Sequence, residues 1–246
     1  MFRYSIQLLL LVFLVTFALR ADKDPFVGDW KLNPSKSSLP DEMKVESLGA
    51  NKYAFDLGGD GNVETIVIDG TDQQGLDGTT LSVTDEGPNA WKVVRKKDGH
   101  MLLTGNWKLS KDGNTLTDEF SLIAPNGSAS TVNYVYQKKG GGSGFAGTWV
   151  STSAAVAADF VLVLQIRPYG GDGLSISSQG STRNMKFDGK DYRRPDEHTL
   201  ELTDKSSNGK IRDTQQIQLS PNLKTLTMTR HITGRSEPQI FVFDRQ

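Results

Sequence analysis

The chain of 246 residues contains no cysteine. That absence excludes disulfide frameworks, zinc ribbons, iron–sulfur clusters, thiol nucleophiles and a membrane anchor on a lipidated cysteine. An excess of either charge is missing as well, with 28 Lys and Arg against 29 Asp and Glu. Without a broad basic surface, no nucleic-acid partner held by counterion release is expected. Histidine is scarce, and His100, His198 and His231 stand apart from one another in sequence with no accompanying nucleophile or second ligand. They read as exposed polar positions. Gly-x-Ser-x-Gly, His-Glu-x-x-His and phosphate-cradling loops are all missing. No catalytic residue, metal or cofactor is therefore expected, and the chain does not read as an enzyme.

Long hydrophobic runs are also few. One spans Leu8 to Leu19, interrupted by Thr16, with Arg3 before it and the polar stretch Asp22-Lys23-Asp24-Pro25 after it. This is the layout of a secretory signal peptide over residues 1–21, with Ala18 or Ala21 as its last residue. Thr16 and Ala18 satisfy the small-x-small rule, whereas Leu19 stands two residues before Ala21. An uncleaved anchor is the rival reading, but a run of about 12 residues is short of the roughly 20 that cross a bilayer. The expectation is an exported protein, periplasmic or secreted, with no membrane span after cleavage. Hydrophobic residues are 36% of the whole chain, and sixteen of them lie in the leader. The mature chain is thus polar, which favours small barrels or sandwiches over a large helical core.

What the chain does contain is a repeat. Phe26-Val27-Gly28-Asp29-Trp30 returns as Phe145-Ala146-Gly147-Thr148-Trp149, and Asp69-Gly70-Thr71-Asp72 as Asp188-Gly189-Lys190-Asp191. Leu109-Ser110 with Thr115-Leu116-Thr117 matches Leu219-Ser220 with Thr225-Leu226-Thr227. Near the ends, Tyr134-Val135-Tyr136-Gln137-Lys138 matches Phe241-Val242-Phe243-Asp244-Arg245. The matches are collinear, as a duplication with a shorter second copy requires. Between the copies, residues 139–144 are rich in Gly and Ser and read as a flexible linker. The expected domains are residues 24–138 and 145–246.

Within each copy the period is two: Leu116, Asp118, Phe120 and Leu122 share one face, as do Leu226, Met228, Arg230 and Ile232. Short β-prone runs alternate with turn chemistry such as Lys97-Asp98-Gly99, Lys111-Asp112-Gly113, Pro125-Asn126-Gly127 and Ser206-Ser207-Asn208-Gly209. The fold class is all-β, two tandem antiparallel meanders of about 8–10 short strands each, closing into barrels to avoid open edges. One alanine-rich stretch, Ser151 to Phe160, is expected as a helix capping the second barrel.

Gly-x-Trp at the start of the first strand, with a cation near the end of the last, resembles the lipocalin and calycin signature. In that superfamily the Trp packs across the closed barrel end beneath the cation. The resemblance implies that Gly28 and Trp30 pair with Lys138, and Gly147 and Trp149 with Arg245, closing the two barrels. Gly28-Asp29-Trp30-Lys31-Leu32-Asn33-Pro34-Ser35-Lys36-Ser37, Phe187-Asp188-Gly189-Lys190-Asp191-Tyr192 and Ser220-Pro221-Asn222-Leu223-Lys224-Thr225-Leu226-Thr227 are similar to an uncharacterised group of exported bacterial lipocalin-like domains. The superfamily's habit of holding small apolar molecules implies a small apolar or amphipathic ligand as partner. No protein partner is indicated. The alternative is a pair of filled barrels acting as an interaction module of the cell envelope.

Arg230 is the one candidate ligand-binding residue: buried in a barrel, its two-pronged donor could hold a ligand carboxylate. At the rim it would simply be solvated. Tyr134 and Tyr136, matched by Phe241 and Phe243, read as core before ligand box. Trp91 and Trp107 have no aromatic counterparts in the second copy, so the barrels are lined differently. The Asp56 to Asn62 run lacks the third and twelfth ligands of a calcium loop and is rejected.

Overall fold

Short β-branched and aromatic runs punctuated by turn residues become nineteen strands in the computed structural model, which describes residues 24–157, 160–178, 180–206 and 209–246. In chain order these are β1 (Gly28–Leu32), β2 (Glu42–Gly49), β3 (Lys52–Asp56), β4 (Glu64–Val67), β5 (Gln73–Gln74), β6 (Thr80–Gly87), β7 (Ala90–Lys97), β8 (His100–Leu109), β9 (Thr115–Ile123) and β10 (Ala129–Gly140). The second half carries β11 (Gly147–Val156), β12 (Val163–Tyr169), β13 (Gly173–Ser178), β14 (Ser181–Met185), β15 (Tyr192–Asp196), β16 (Thr199–Lys205), β17 (Ile211–Leu219), β18 (Thr225–Ile232) and β19 (Gln239–Arg245). All pair antiparallel in two nearly closed, barrel-like sheets of ten and nine strands. The Asp98-Gly99 turn has positive φ at both residues, as a two-residue hairpin needs. Ala50-Asn51 does the same between β2 and β3 without an obvious sequence signal. The leader, residues 1–21, lies outside the described residues, as do Ser207 and Asn208 of one expected turn. Among the described residues no helix is long and apolar enough to cross a membrane.

The sheets divide the chain differently from the repeat. One sheet holds β2 to β11, residues 42–156, and the other holds β12 to β19 together with β1. The two copies have exchanged first strands. Residues 139–144, expected as an interdomain linker, instead turn β10 back onto β11 as a hairpin, with positive φ at Gly141, Gly142 and Gly144. Held there, β11 occupies the slot between β10 and β2. β1 is left to pair with β12 and β19, the second and last strands of the other copy. Either Gly-x-Trp strand fits either slot because the copies are equivalent, the condition under which elements swap at low cost.

The expected Trp–cation pairs are therefore reversed in partner. Trp30 lies opposite Arg245, whose guanidinium carbon is 4.0 Å from its ring centroid, and Trp149 lies opposite Lys138, with Nζ at 4.7 Å. Both indoles are fully buried, and each Nε1 donates to a carbonyl four residues earlier, on Phe26 or Phe145, at 2.9 Å. Arg245 also donates from Nε to Leu223 O at 2.7 Å and from Nη1 to Val27 O at 3.0 Å. Lys138 Nζ donates to the carbonyls of Gly144 and Ala146. A Cβ on Gly28 would stand 2.8 Å from Arg245 Nη1, and one on Gly147 would stand 3.1 Å from Lys138 Cε. Glycine at these two positions makes room for the cation above its ring.

The expected helix from Ser151 to Phe160 is a second correction. Residues up to Val156 continue β11, paired with β10, while Ala158 and Asp159 lie outside the described residues. Alanine's helical advantage over its neighbours is only tenths of a kcal/mol per residue, so a ready partner strand outweighs it.

Trp30→Ala is expected to cost about 3–5 kcal/mol and to speed amide hydrogen exchange in β12 and β19, more than a hundred residues away in sequence. Faster exchange confined to β2 and β10 would place the first strand in the other sheet.

Candidate functional site

Alternate residues on β8, β9 and β10 point into the ten-stranded barrel: Leu103, Gly105 and Trp107; Asp118, Phe120 and Leu122; Val132, Tyr134 and Tyr136. The end of this interior near Trp149 is filled by aromatic rings. Trp91 stacks on Phe145 with centroids 4.0 Å apart, and Phe55 and Trp107 pack beside them. Toward the other end the filling stops. There a cavity of about 490 Å³ continues to the mouth of the nine-stranded barrel, where Asp213 of β17, Arg230 and Ile232 of β18 and Phe241 of β19 complete the wall. Leu39 and Leu162, from the two crossings between the sheets, line it too.

Charged side chains join the two mouths. Arg235, in the turn after β18, has a side chain only 6% exposed. Its Nη2 lies 2.7 Å from Asp41 Oδ1, and its Nε donates to the Gly58 carbonyl of the facing barrel. The other Asp41 oxygen accepts the Tyr136 hydroxyl at 2.6 Å. Arg212 reaches across to Asp77 at 2.7 Å. Within the ten-stranded barrel Arg95 and Glu64 form a buried two-pronged pair, and Glu64 also accepts from Leu76 N, tying β4 to the loop beyond β5. Gln73 helps close the same seam, bonding the N–H and the carbonyl of Val67 with its side-chain amide.

Arg230 lines this cavity, though not as a free anchor. Its Nη2 lies 2.6 Å from Asp213 Oδ2, and Asp213 is almost fully buried. Burial pushes the Asp213 carboxyl up, but hydrogen bonds and charge from Arg230, with help from Gln215 and Arg183, hold it below the usual carboxylate range. Arg230 Nε is buried without a hydrogen-bond partner. The other expected residues, Gly28, Trp30, Lys138, Gly147, Trp149 and Arg245, stand at the barrel ends and take no part in the cavity wall. Nor do His100, His198 and His231. Among the described residues no group of acidic and histidine side chains could hold a metal. Comparison with protein-family models, with curated proteins and with solved structures gave no match.

The residue that sequence reasoning passed over is Asp118. It is 6% exposed, and its Oδ1 has no hydrogen-bond partner. Burial pushes its carboxyl up to about 7; the Trp107 indole N–H works against the shift, and the charges of Asp41 and Glu119 add to it. Gly105 keeps the space open, since a Cβ there would stand 2.9 Å from Asp118 Oδ1 and 3.1 Å from Trp107 Nε1. The signal was present in the sequence as the only charge on the inward face of Leu116, Asp118, Phe120 and Leu122.

A carboxyl raised to about 7 when folded, against about 3.9 when unfolded, favours the folded state at low pH. That contribution is lost as pH climbs from about 4 to above 7, by up to roughly 4 kcal/mol. Asp118→Asn is expected to abolish this decline, so urea midpoints at pH 5 and pH 8 converge in the variant. Equal pH dependence in parent and variant would contradict the assignment.

Proposed function

We propose that this is an exported, lipocalin-like carrier that binds one small, partly apolar molecule in the cavity shared by its two barrels. The supporting observation is the cavity itself: about 490 Å³, walled in part by Leu, Ile, Val and Phe side chains and in part by carboxylates and guanidinium groups that are largely paired with one another. Ligand sites characteristically occupy about 300–1,000 Å³. Two separately filled barrels would have favoured an interaction module instead. The Gly-x-Trp–cation ends agree with the lipocalin resemblance, and the apolar leader supports export.

Gentle mass spectrometry of the exported protein is expected to show one small molecule per chain and a mature N-terminus after Ala18 or Ala21. An apolar fluorescent dye should bind at one site, and Leu122→Trp, which fills the cavity, should weaken it at least tenfold. Arg230→Ala would abolish binding if the ligand is an acid held at that residue. Repeated absence of a bound molecule, together with no dye binding, would refute the carrier reading and favour the interaction module.

A further inference from the structure

We infer that the molecule held in this cavity is an amphiphilic amine, with its ammonium group at Asp118 and its apolar body extending toward the mouth of the nine-stranded barrel. The inference rests on the carrier reading and names the chemical class it would take. The charge inventory of the wall is the first support. Six carboxylates line the cavity against four guanidinium groups. Each guanidinium already faces a carboxylate: Arg95 on Glu64, Arg212 on Asp77, Arg230 on Asp213 and Arg235 on Asp41. Among the described residues, an anionic ligand would therefore enter a cavity that is negative overall and whose guanidiniums all face carboxylates, with Arg230 Nε the one N–H left over. Asp60 shares Arg212 with Asp77, at 3.9 Å, which leaves Asp118 as the carboxylate without a guanidinium.

Local geometry supplies the second support. In the sheet Asp118 lies between Trp107 of β8 and Tyr134 of β10, its register partners on either side. Phe120, next on its inward face, meets Tyr134 edge-on with centroids 6.3 Å apart. A buried carboxylate with one oxygen left without a partner suits a cation that donates hydrogen bonds, and the Trp107 indole N–H is the donor already turned toward it. Gly105 withholds a side chain where the ammonium would approach. Beyond this point Leu103, Leu122, Ile232 and Phe241 offer an apolar surface to the rest of the molecule.

Such binding depends on pH. The groups facing Asp118 are Trp107 on β8, Tyr134 and Tyr136 on β10, Asp41 on the crossing segment and Arg235 opposite Asp41, while Glu119 acts on it from the outer face of its own strand. Both tyrosines are pushed up by burial and stay neutral, and Asp41 and Arg235 compensate each other. With its carboxyl near 7, Asp118 changes from mostly protonated at pH 6 to mostly ionised at pH 8. Affinity for an ammonium should rise about tenfold over that interval.

The test compares decylamine, decanol and decanoate, three probes with one apolar body, by calorimetry on the mature chain. Decylamine is expected to bind at least tenfold tighter than the other two at pH 8, and about tenfold weaker at pH 6 than at pH 8. Asp118→Asn should erase both effects while leaving decanol binding intact, which also shows that the variant folds. Decanol or decanoate binding as tightly as decylamine, or an unchanged preference in Asp118→Asn, would overturn the amine assignment and leave the carrier reading standing. Failure of all three probes would overturn both.

Discussion

The short turn between β10 and β11 constrains everything else in this molecule. With Gly141, Gly142 and Gly144 at positive φ, and no room for a Cβ on Gly142 against Ala146, the chain reverses at once. A hairpin closes locally and with little loss of loop entropy, so β11 pairs with the strand that immediately precedes it. The slot it takes is the one that the first strand would need to complete a barrel with its own copy. The first strand must then close the other sheet, and the chain passes between the sheets twice, after β1 and after β11. Residues 33–41 follow β19 on the way, with Ser38 bridged to Ile240, before entering β2.

Strand exchange also explains the shared cavity. Each barrel has one end sealed by a buried Trp under a cation, and the two crossings bring the unsealed ends together. Polar side chains at such a junction must be paired, because an isolated buried charge is costly. The pairs Arg235–Asp41 and Arg212–Asp77 meet that requirement between the halves. Asp118 stands out against this background: it is buried, uncompensated and set among rings. A protein interior tolerates such a group where a ligand completes it, and the raised carboxyl shows what the group costs while it is ionised and alone.

Much of the fold was legible in the sequence because β structure writes itself with period two and turns write themselves with Asp-Gly and Asn-Gly. The duplication was equally plain, and the registers keep it: Leu116 opposite Tyr136 recurs as Leu226 opposite Phe243. Which copy each first strand completes was not legible, since Gly28–Leu32 and Gly147–Val156 carry the same motif and equivalent slots await both. Alanines at 154, 155 and 157 misled toward a helix because propensity is local and the partner strand is not. Arg230 was recognisable as an inward-facing charge, but Asp213 is on a neighbouring strand seventeen residues away, so the pair was invisible. Asp118 was visible on the same kind of inward face; its importance comes from neighbours on β8 and β10 that only the folded sheet supplies.

Since the chain has no cysteine, a pair can be introduced without competing thiols, and this allows the exchange to be measured directly. Lys31 lies opposite Asp244 of β19. In an unexchanged arrangement it would lie opposite Gln137 of β10, the equivalent position in the first copy. The double variant Lys31→Cys with Asp244→Cys is expected to form an intramolecular disulfide on mild oxidation, and Lys31→Cys with Gln137→Cys is expected to remain reduced. The reverse result would return each first strand to its own copy and remove the basis for a cavity shared between the barrels.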